Sequence, residues 1–393
     1  MKQFLADFSL AELAAIFSPE YRAKQIFEWF YRQYGTNFDT LTTVSKALRS
    51  ELSDRFETEA LTIAAKQTSV DGSEKYLFRL ADNHTIETVL LLMREGETND
   101  DGEPIRQAQY TVCVSTQVGC KMGCAFCMTA KNGFVRNLTA GEIVSQVLAI
   151  KRDHNMLPEK GLNIVYMGMG EPLDNLASVA KATQIFATEA GLSISPRRQT
   201  ISTSGISPKI DELGEMNLGV LLAISLHAVD NATRERLIPL NKAFNIESVI
   251  AATRRFPIDM RKRVMFEYLM IDGVNDDPRS AKTLVRLLGN IRAKVNLIAF
   301  NPHEGSSFAR PDRAKMEAFQ RYLLDHGIVC TIRQSRGIEI DAACGQLRER
   351  HTASEIVSHE TISRESIKQR SMMLRMSARS FSFVLPRIWC SNS

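Results

Sequence analysis

The run VGCKMGCAFC, residues 118–127, sets three cysteines, Cys120, Cys124 and Cys127, within eight positions. Three thiols exceed one disulfide and fall one short of a closed four-thiolate metal site. A β-forming segment, YTVCVST (110–116), precedes the run, and the capping box TAGE (139–142) opens a helix with apolar periodicity after it. The loop therefore sits between a strand and its helix. The same order recurs downstream, with strands predicted at 162–168, 198–205, 220–228, 262–271, 294–300 and 328–334, most of them followed by a helical segment. Six or seven such units predict an α/β fold, a partial (β/α)6-type TIM barrel in which chemistry sits at the C-terminal ends of the strands.

Thiolates are the ligands of iron–sulfur clusters, and a cubane cluster normally takes four. Three leave one iron open, as catalytic metal sites keep a position for substrate. An open iron can chelate the amino and carboxylate groups of S-adenosylmethionine and pass an electron into its sulfonium. Two alternatives stand beside this reading. Buried thiols are one, and a zinc site that recruits Cys113 as fourth ligand is the other, although C-x6-C-x3-C-x2-C departs from the two close pairs of zinc ribbons. The spacing C-x3-C-x2-C, with Phe126 before the last cysteine, resembles that of the radical S-adenosylmethionine (SAM) superfamily.

Composition narrows the partners. With 49 Lys and Arg against 45 Asp and Glu, the chain is far from a basic tail, so a polyanion would need a local patch. The N-terminus lacks the pattern of a secretory signal, and no run of about eighteen apolar residues could span a bilayer. The expected location is the cytoplasm, without membrane association. Seven cysteines in so long a chain argue against a disulfide scaffold. Residues 1–70 read as a small helical domain, whose stretch RAKQIFEWFYRQYG mixes Arg22, Lys24 and Arg32 with aromatics, including Trp29, that suit a small core. Residues 71–105 read as a β-hairpin linker region with Ala81, Asp82 and Asn83 as its turn. The barrel is expected over 106–347, and residues 348–393, rich in Ser, Arg and Met, as a poorly ordered tail.

Four polar segments fall at predicted strand ends: YMGMGEP (166–172), Ser202 to Gly205, Ser225-Leu226-His227, and Asn301-Pro302. Each alone suits turn chemistry. The first lacks the third glycine of a dinucleotide loop, since Leu173 stands there, and it resembles instead the Gly-Glu-Pro type motif of the radical SAM superfamily. Near the barrel's end Cys344 stands between small residues, usually the setting of an inert core thiol. Cys113, VSTQVGC, FCMTAKNGFVRNLT, VYMGMGEPLDN, ISTSGISP, AISLHA, NPHEG and DAACGQL occur in the order expected of the bacterial RNA adenine-C2 methyltransferases. These dual-specificity enzymes act on 23S ribosomal RNA and transfer RNA, and the similarity covers roughly residues 18–347.

That resemblance implies one 4Fe-4S cluster on Cys120, Cys124 and Cys127, and two SAM molecules per turnover. It implies cofactor contacts at Gly170, Glu171, Ser202, Ser225, Leu226, His227 and Asn301. One SAM methylates Cys344, a nucleophile when ionised. The second yields a 5'-deoxyadenosyl radical that takes hydrogen from this methyl, and the resulting methylene radical adds to adenine C2, tethering RNA to protein. C2 lies between two ring nitrogens and is electron-poor, so direct attack on a sulfonium methyl is unfavourable. Glu87 is implied as the base that removes the C2 proton, although a charge within a strand more often lies on its solvent face. Cys113 is implied to attack the sulfur of Cys344, releasing product and forming a disulfide that is then reduced. Further implications are an RNA-binding role for the N-terminal domain, with Arg22, Lys24 and Arg32 on phosphates, a flavodoxin-type electron donor, and a monomer. The related enzymes that methylate C8 and confer antibiotic resistance share these motifs. A non-catalytic metal-containing RNA-binding protein is the alternative of another class.

Overall fold

The structure, a computed structural model, describes residues 2–99, 104–154, 161–259, 262–302, 306–343 and 345–347. Cys344 and the expected tail, 348–393, lie outside the described residues.

Three helices open the chain: α1 (Leu10–Ile16), α2 (Tyr21–Arg32) and α3 (Lys46–Arg55). Ser9 accepts from the amide of Glu12 while Glu12 accepts from that of Ser9, so a capping box fixes the start of α1. In α2 the apolar spacing buries Ala23, Ile26, Phe27, Trp29, Phe30 and Tyr31, leaving Arg22, Lys24 and Arg32 exposed. The aromatics of this stretch are core. Trp29 Nε1 donates to Thr40 Oγ1 at 3.1 Å, which satisfies the one polar atom of the buried indole.

Ten strands form the main sheet: β1 (Leu61–Thr68), β2 (Glu74–Leu80), β3 (Thr85–Arg94), β4 (Gln109–Cys113), β5 (Leu162–Tyr166), β6 (Gln199–Thr203), β7 (Leu221–Ser225), β8 (Val264–Met270), β9 (Ala293–Ala299) and β10 (Val329–Arg333). Their order in space is their order in the chain. From β4 to β10 every pairing is parallel; β1 to β4 pair antiparallel. Helices α4 (Ala140–Asp153), α5 (Leu176–Ala187), α6 (Ser207–Glu215), α7 (Ile246–Arg255), α8 (Pro278–Leu288) and α9 (Arg313–Asp325) follow β4 to β9 in turn. Six βα units and a seventh parallel strand thus make the expected partial barrel. Such strands are covered on both faces, which is why all five residues of β6 are buried.

The stretch expected as a hairpin linker supplies β2 and β3 to the same sheet, turning at Asn83 with φ of 69°. β3 is paired on both sides, and its residues from Thr85 to Leu91 are buried without alternation, so both of its faces are covered. The solvent face that strand position suggests for Glu87 is therefore wrong: its side chain faces protein. The N-terminal segment packs directly on the barrel helices. Asp7 accepts from the Gly141 amide in the first turn of α4 at 2.6 Å, a carboxylate at a helix N-terminus, and Glu12 meets Lys181 of α5 at 2.7 Å. One continuous apolar core runs from Leu5 through the barrel to Leu347.

Candidate active site

The loop that carries the three cysteines leaves β4 through the short strand Gln117–Gly119, which pairs antiparallel with Phe134–Asn137 and closes the loop at its base. Gly119 has φ of +72°, and a Cβ there would lie 2.0 Å from the carbonyl oxygen of Gly133, so only glycine fits. Inside the loop the Cys127 amide donates to the Cys124 carbonyl at 3.1 Å, and that of Cys120 to the Gly133 carbonyl at 2.7 Å. All three cysteines line one cavity of about 160 Å3 at the C-terminal ends of the strands. Burial, with the neighbouring cysteines and Glu171 adding repulsion, raises the thiol of Cys120 to about 12 and that of Cys124 well above its ordinary value. Three converging, mutually repelling sulfurs are the donor set that a cation relieves, since a bound metal deprotonates its thiols outright.

The strand ends supply the facing wall. After β5 the chain turns through Gly170, whose φ is +104° and whose Cβ, if present, would meet the Gln117 side chain at 2.6 Å. Glu171 is buried beside it. Its Oε2 accepts from the Ser204 amide at 2.8 Å and the Ser204 hydroxyl at 2.7 Å, and its Oε1 from the Leu173 amide at 3.1 Å. Burial raises its pKa, and these donors oppose the rise. Ser202 and Ser225 line the same cavity from β6 and β7.

His227 follows β7 in the left-handed region, with φ of 59°. Its Nδ1 accepts from the Leu269 amide at 3.0 Å, and its ring meets Phe126 of the cysteine loop edge-on at 5.0 Å. Burial and the nearby Arg234 guanidinium depress its pKa to about 3, so the ring is neutral. Leu226, by contrast, points into the core with both backbone groups engaged: its amide donates to Glu267 O at 3.1 Å and its carbonyl accepts from Arg234 Nε at 3.2 Å. Asn301 lines neither cavity; it donates from Nδ2 to Ser335 Oγ at 3.1 Å and accepts from Arg310 at 2.8 Å.

Cys113 lines a second cavity with Val89, Ala342 and Ala343, and Met167, Ile298, Arg333 and Leu347 line both cavities. Cys344 is outside the described residues; of its neighbours in sequence, Ala343 lines the second cavity and Gly345 the first. The segment around it is bonded to the cysteine loop. The Met128 amide donates to Gly345 O at 2.6 Å and Thr129 Oγ1 to Leu347 O at 2.6 Å. Glu87 lines neither cavity; its Oε1 is 3.1 Å from the Lys75 ammonium, both side chains at most 3% exposed. Lys75 Nζ also donates to the Asp341 carbonyl at 3.5 Å.

Sequence reasoning missed Lys75, Arg234 and Glu267. Arg234 is fully buried, its guanidinium donating to the carbonyls of Ser204, Ser225, Leu226 and Phe244 and to Asn241 Oδ1. The signal for Lys75 and Glu267 was an ionisable residue within a largely buried strand, whereas Arg234 sits in a polar helix, Asn231–Leu237, where nothing local marks it.

Comparison with known proteins agrees with this geometry. Residues 114–284 match the radical SAM superfamily, and residues 4–58 match the ribosomal RNA large subunit methyltransferase N-terminal domain. A dual-specificity RNA methyltransferase RlmN from a Nitratiruptor species is 59% identical over 350 residues, 89% of this chain and 98% of its own length. The chain belongs to the dual-specificity RNA methyltransferase family. A second RlmN of that family, from Sulfurimonas denitrificans, is 56% identical over 91% of this chain and 100% of its own length. The crystal structure of a radical SAM methyltransferase from Sphaerobacter thermophilus aligns with a TM-score of 0.78 and 43% identity, covering 88% of this chain and 99% of the other. Membership of this radical SAM family implies a 4Fe-4S cluster and SAM as cofactors. Among the described residues no helix is long and apolar enough to cross a membrane.

Proposed function

We propose that this chain methylates C2 of adenosine in 23S ribosomal RNA and in transfer RNA, through a covalent protein–RNA intermediate. One observation carries the reading beyond family membership. The cysteine loop and the segment that contains Cys344 are hydrogen-bonded to each other, with Cys113 on the adjoining cavity. A mechanism that uses three ligand thiolates and two further cysteines needs these elements together.

In this reading Cys120, Cys124 and Cys127 hold the cluster. Gly170 and Glu171 take the cofactor's ammonium, and Ser202, Ser225, His227 and Asn301 orient the rest of it. Leu226, whose backbone is engaged, shapes the strand end. Bound there, cluster and SAM supply an electron and a 5'-deoxyadenosyl radical. Cys344 carries the one-carbon unit on its sulfur and presents it to C2, where the new carbon–carbon bond tethers RNA to protein. Glu87 removes the C2 proton, its carboxylate held in place by Lys75. Cys113, as the thiolate, attacks the Cys344 sulfur; the carbon–sulfur bond breaks with its electron pair left on the carbon, which takes a proton to become the methyl group, product leaves, and an external thiol reduces the Cys113–Cys344 disulfide before the next turnover.

The helical domain, expected over residues 1–70 but giving way to β1 at Leu61, is the RNA-binding accessory to the barrel expected over 106–347, with Arg22, Lys24 and Arg32 on phosphates. A flavodoxin-type donor reduces the cluster, and the enzyme works as a monomer in the cytoplasm. Nucleoside mass spectrometry of RNA treated with the reconstituted protein tests the regiochemistry. C2-methyladenosine is expected, and C8-methyladenosine in its place would overturn the assignment.

A further inference from the structure

Glu267 interrupts the apolar run of β8 and is buried, at 4% exposure, in the wall of the cavity that holds the three cysteines. Its Oε1 accepts from Asn296 Nδ2 at 3.2 Å; among the described residues its Oε2 accepts no hydrogen bond. Arg333 and Lys294 act on the carboxylate through their charge, while burial opposes ionisation. A buried carboxylate oxygen without a donor is destabilising, and such atoms are rare in folded proteins unless a ligand or water meets them. Glu171, the other carboxylate of the cavity, is supplied with protein donors on both oxygens. Glu267 is built differently, with one oxygen fixed and one left open.

The position within the sheet says what should meet it. Glu267 is in register with Ser225 on β7, at the opposite side of the cavity wall from the Glu171 turn that follows β5, and Leu269 lies two residues beyond it on the same face of β8. An open acceptor beside a serine and an apolar side chain suits a nucleoside, which offers a flat apolar base together with ribose hydroxyls and an exocyclic amine. We propose that Glu267 is a nucleoside-binding carboxylate whose Oε2 accepts a hydrogen bond from a ribose hydroxyl or adenine amine lodged in this cavity. Resting on the function proposed above, the nucleoside has two sources: that of bound SAM, or the target adenosine of the RNA.

The test uses the cluster-loaded protein and its Glu267→Gln variant. Three quantities are measured: the dissociation constant for SAM without RNA, that for a substrate RNA in the presence of SAM, and the thermal unfolding midpoint. Glutamine keeps the shape and the link to Asn296 and removes a buried charge, so the midpoint should hold or rise. Loss of a charge-assisted hydrogen bond should weaken one ligand by roughly tenfold or more. Weakened SAM binding assigns the contact to the cofactor, and weakened RNA binding alone assigns it to the target adenosine. Both affinities within about twofold of wild type would overturn the proposal, as would a lowered midpoint with equal losses for both ligands, the mark of a structural residue. Failure of the wild-type protein itself to bind SAM would strike the proposed function, not Glu267.

Discussion

Lys75 and Glu87 set opposite charges 3.1 Å apart where water hardly reaches. Pairing makes such burial tolerable, and removing one partner strands the other in a low dielectric. Lys75→Met should therefore lower unfolding free energy by about 3–5 kcal/mol, read from urea titrations. A loss below about 1 kcal/mol would show that the pair is dispensable to the fold. His227 makes a different prediction. Its pKa falls from an ordinary 6.5 to about 3 in the folded protein, so between these values the unfolded chain binds a proton that the folded one refuses. The stability this neutral ring contributes is complete above pH 6.5 and is lost progressively as pH drops toward 3. Between pH 7.5 and pH 5 the His227 contribution should fall by about 2 kcal/mol. His227→Gln should flatten the profile by that amount, and identical slopes in both proteins would contradict the assignment.

At the scale of elements, the strands and the cysteine loop were legible because their signals are local. The capping box of α4 formed as predicted, Thr139 Oγ1 accepting from the Glu142 amide at 3.1 Å. Polar strand ends at Ser202 and Ser225 fell on the cavity for the same reason: parallel strands bring their C-terminal ends to one side. What escaped the sequence depended on long-range pairing. Glu87 suggested a solvent face because nothing local says that β3 continues the barrel sheet and is flanked on both sides. Arg234 and Glu267 likewise acquire meaning only from elements packed around them. The bonds between the cysteine loop and the Cys344 segment are long-range, that of Thr129 to Leu347 joining positions 218 apart in sequence. These bonds can be tested. Thr129→Val removes the donor to Leu347 O and should cost about 1 kcal/mol. Amide exchange should quicken in the segment that follows β10 and stay unchanged in β5 to β8; uniform quickening would mean that this bond supports the whole barrel instead.

For the whole molecule, the excess of basic over acidic residues is small, so RNA must be met by placement of charge. Arg22, Lys24 and Arg32 lie exposed on a helix whose opposite face is core, in a domain docked directly on the barrel helices. Replacing the three with alanine should weaken RNA binding and reduce the slope of log affinity against log salt by roughly 0.7–0.9 for each phosphate no longer neutralised, with SAM binding unchanged. An unaltered slope would place the RNA elsewhere. In the proposed reaction the two adjoining cavities act as one site, Cys113 releasing what the Cys344 sulfur has tethered. Denaturing electrophoresis and mass spectrometry of reconstituted Cys113→Ala, incubated with SAM, reductant and substrate RNA, test it most directly. A covalent protein–RNA adduct should accumulate and be absent when Cys344 is also replaced; methylated RNA released at the wild-type rate, with no adduct, would rule out this role of Cys113.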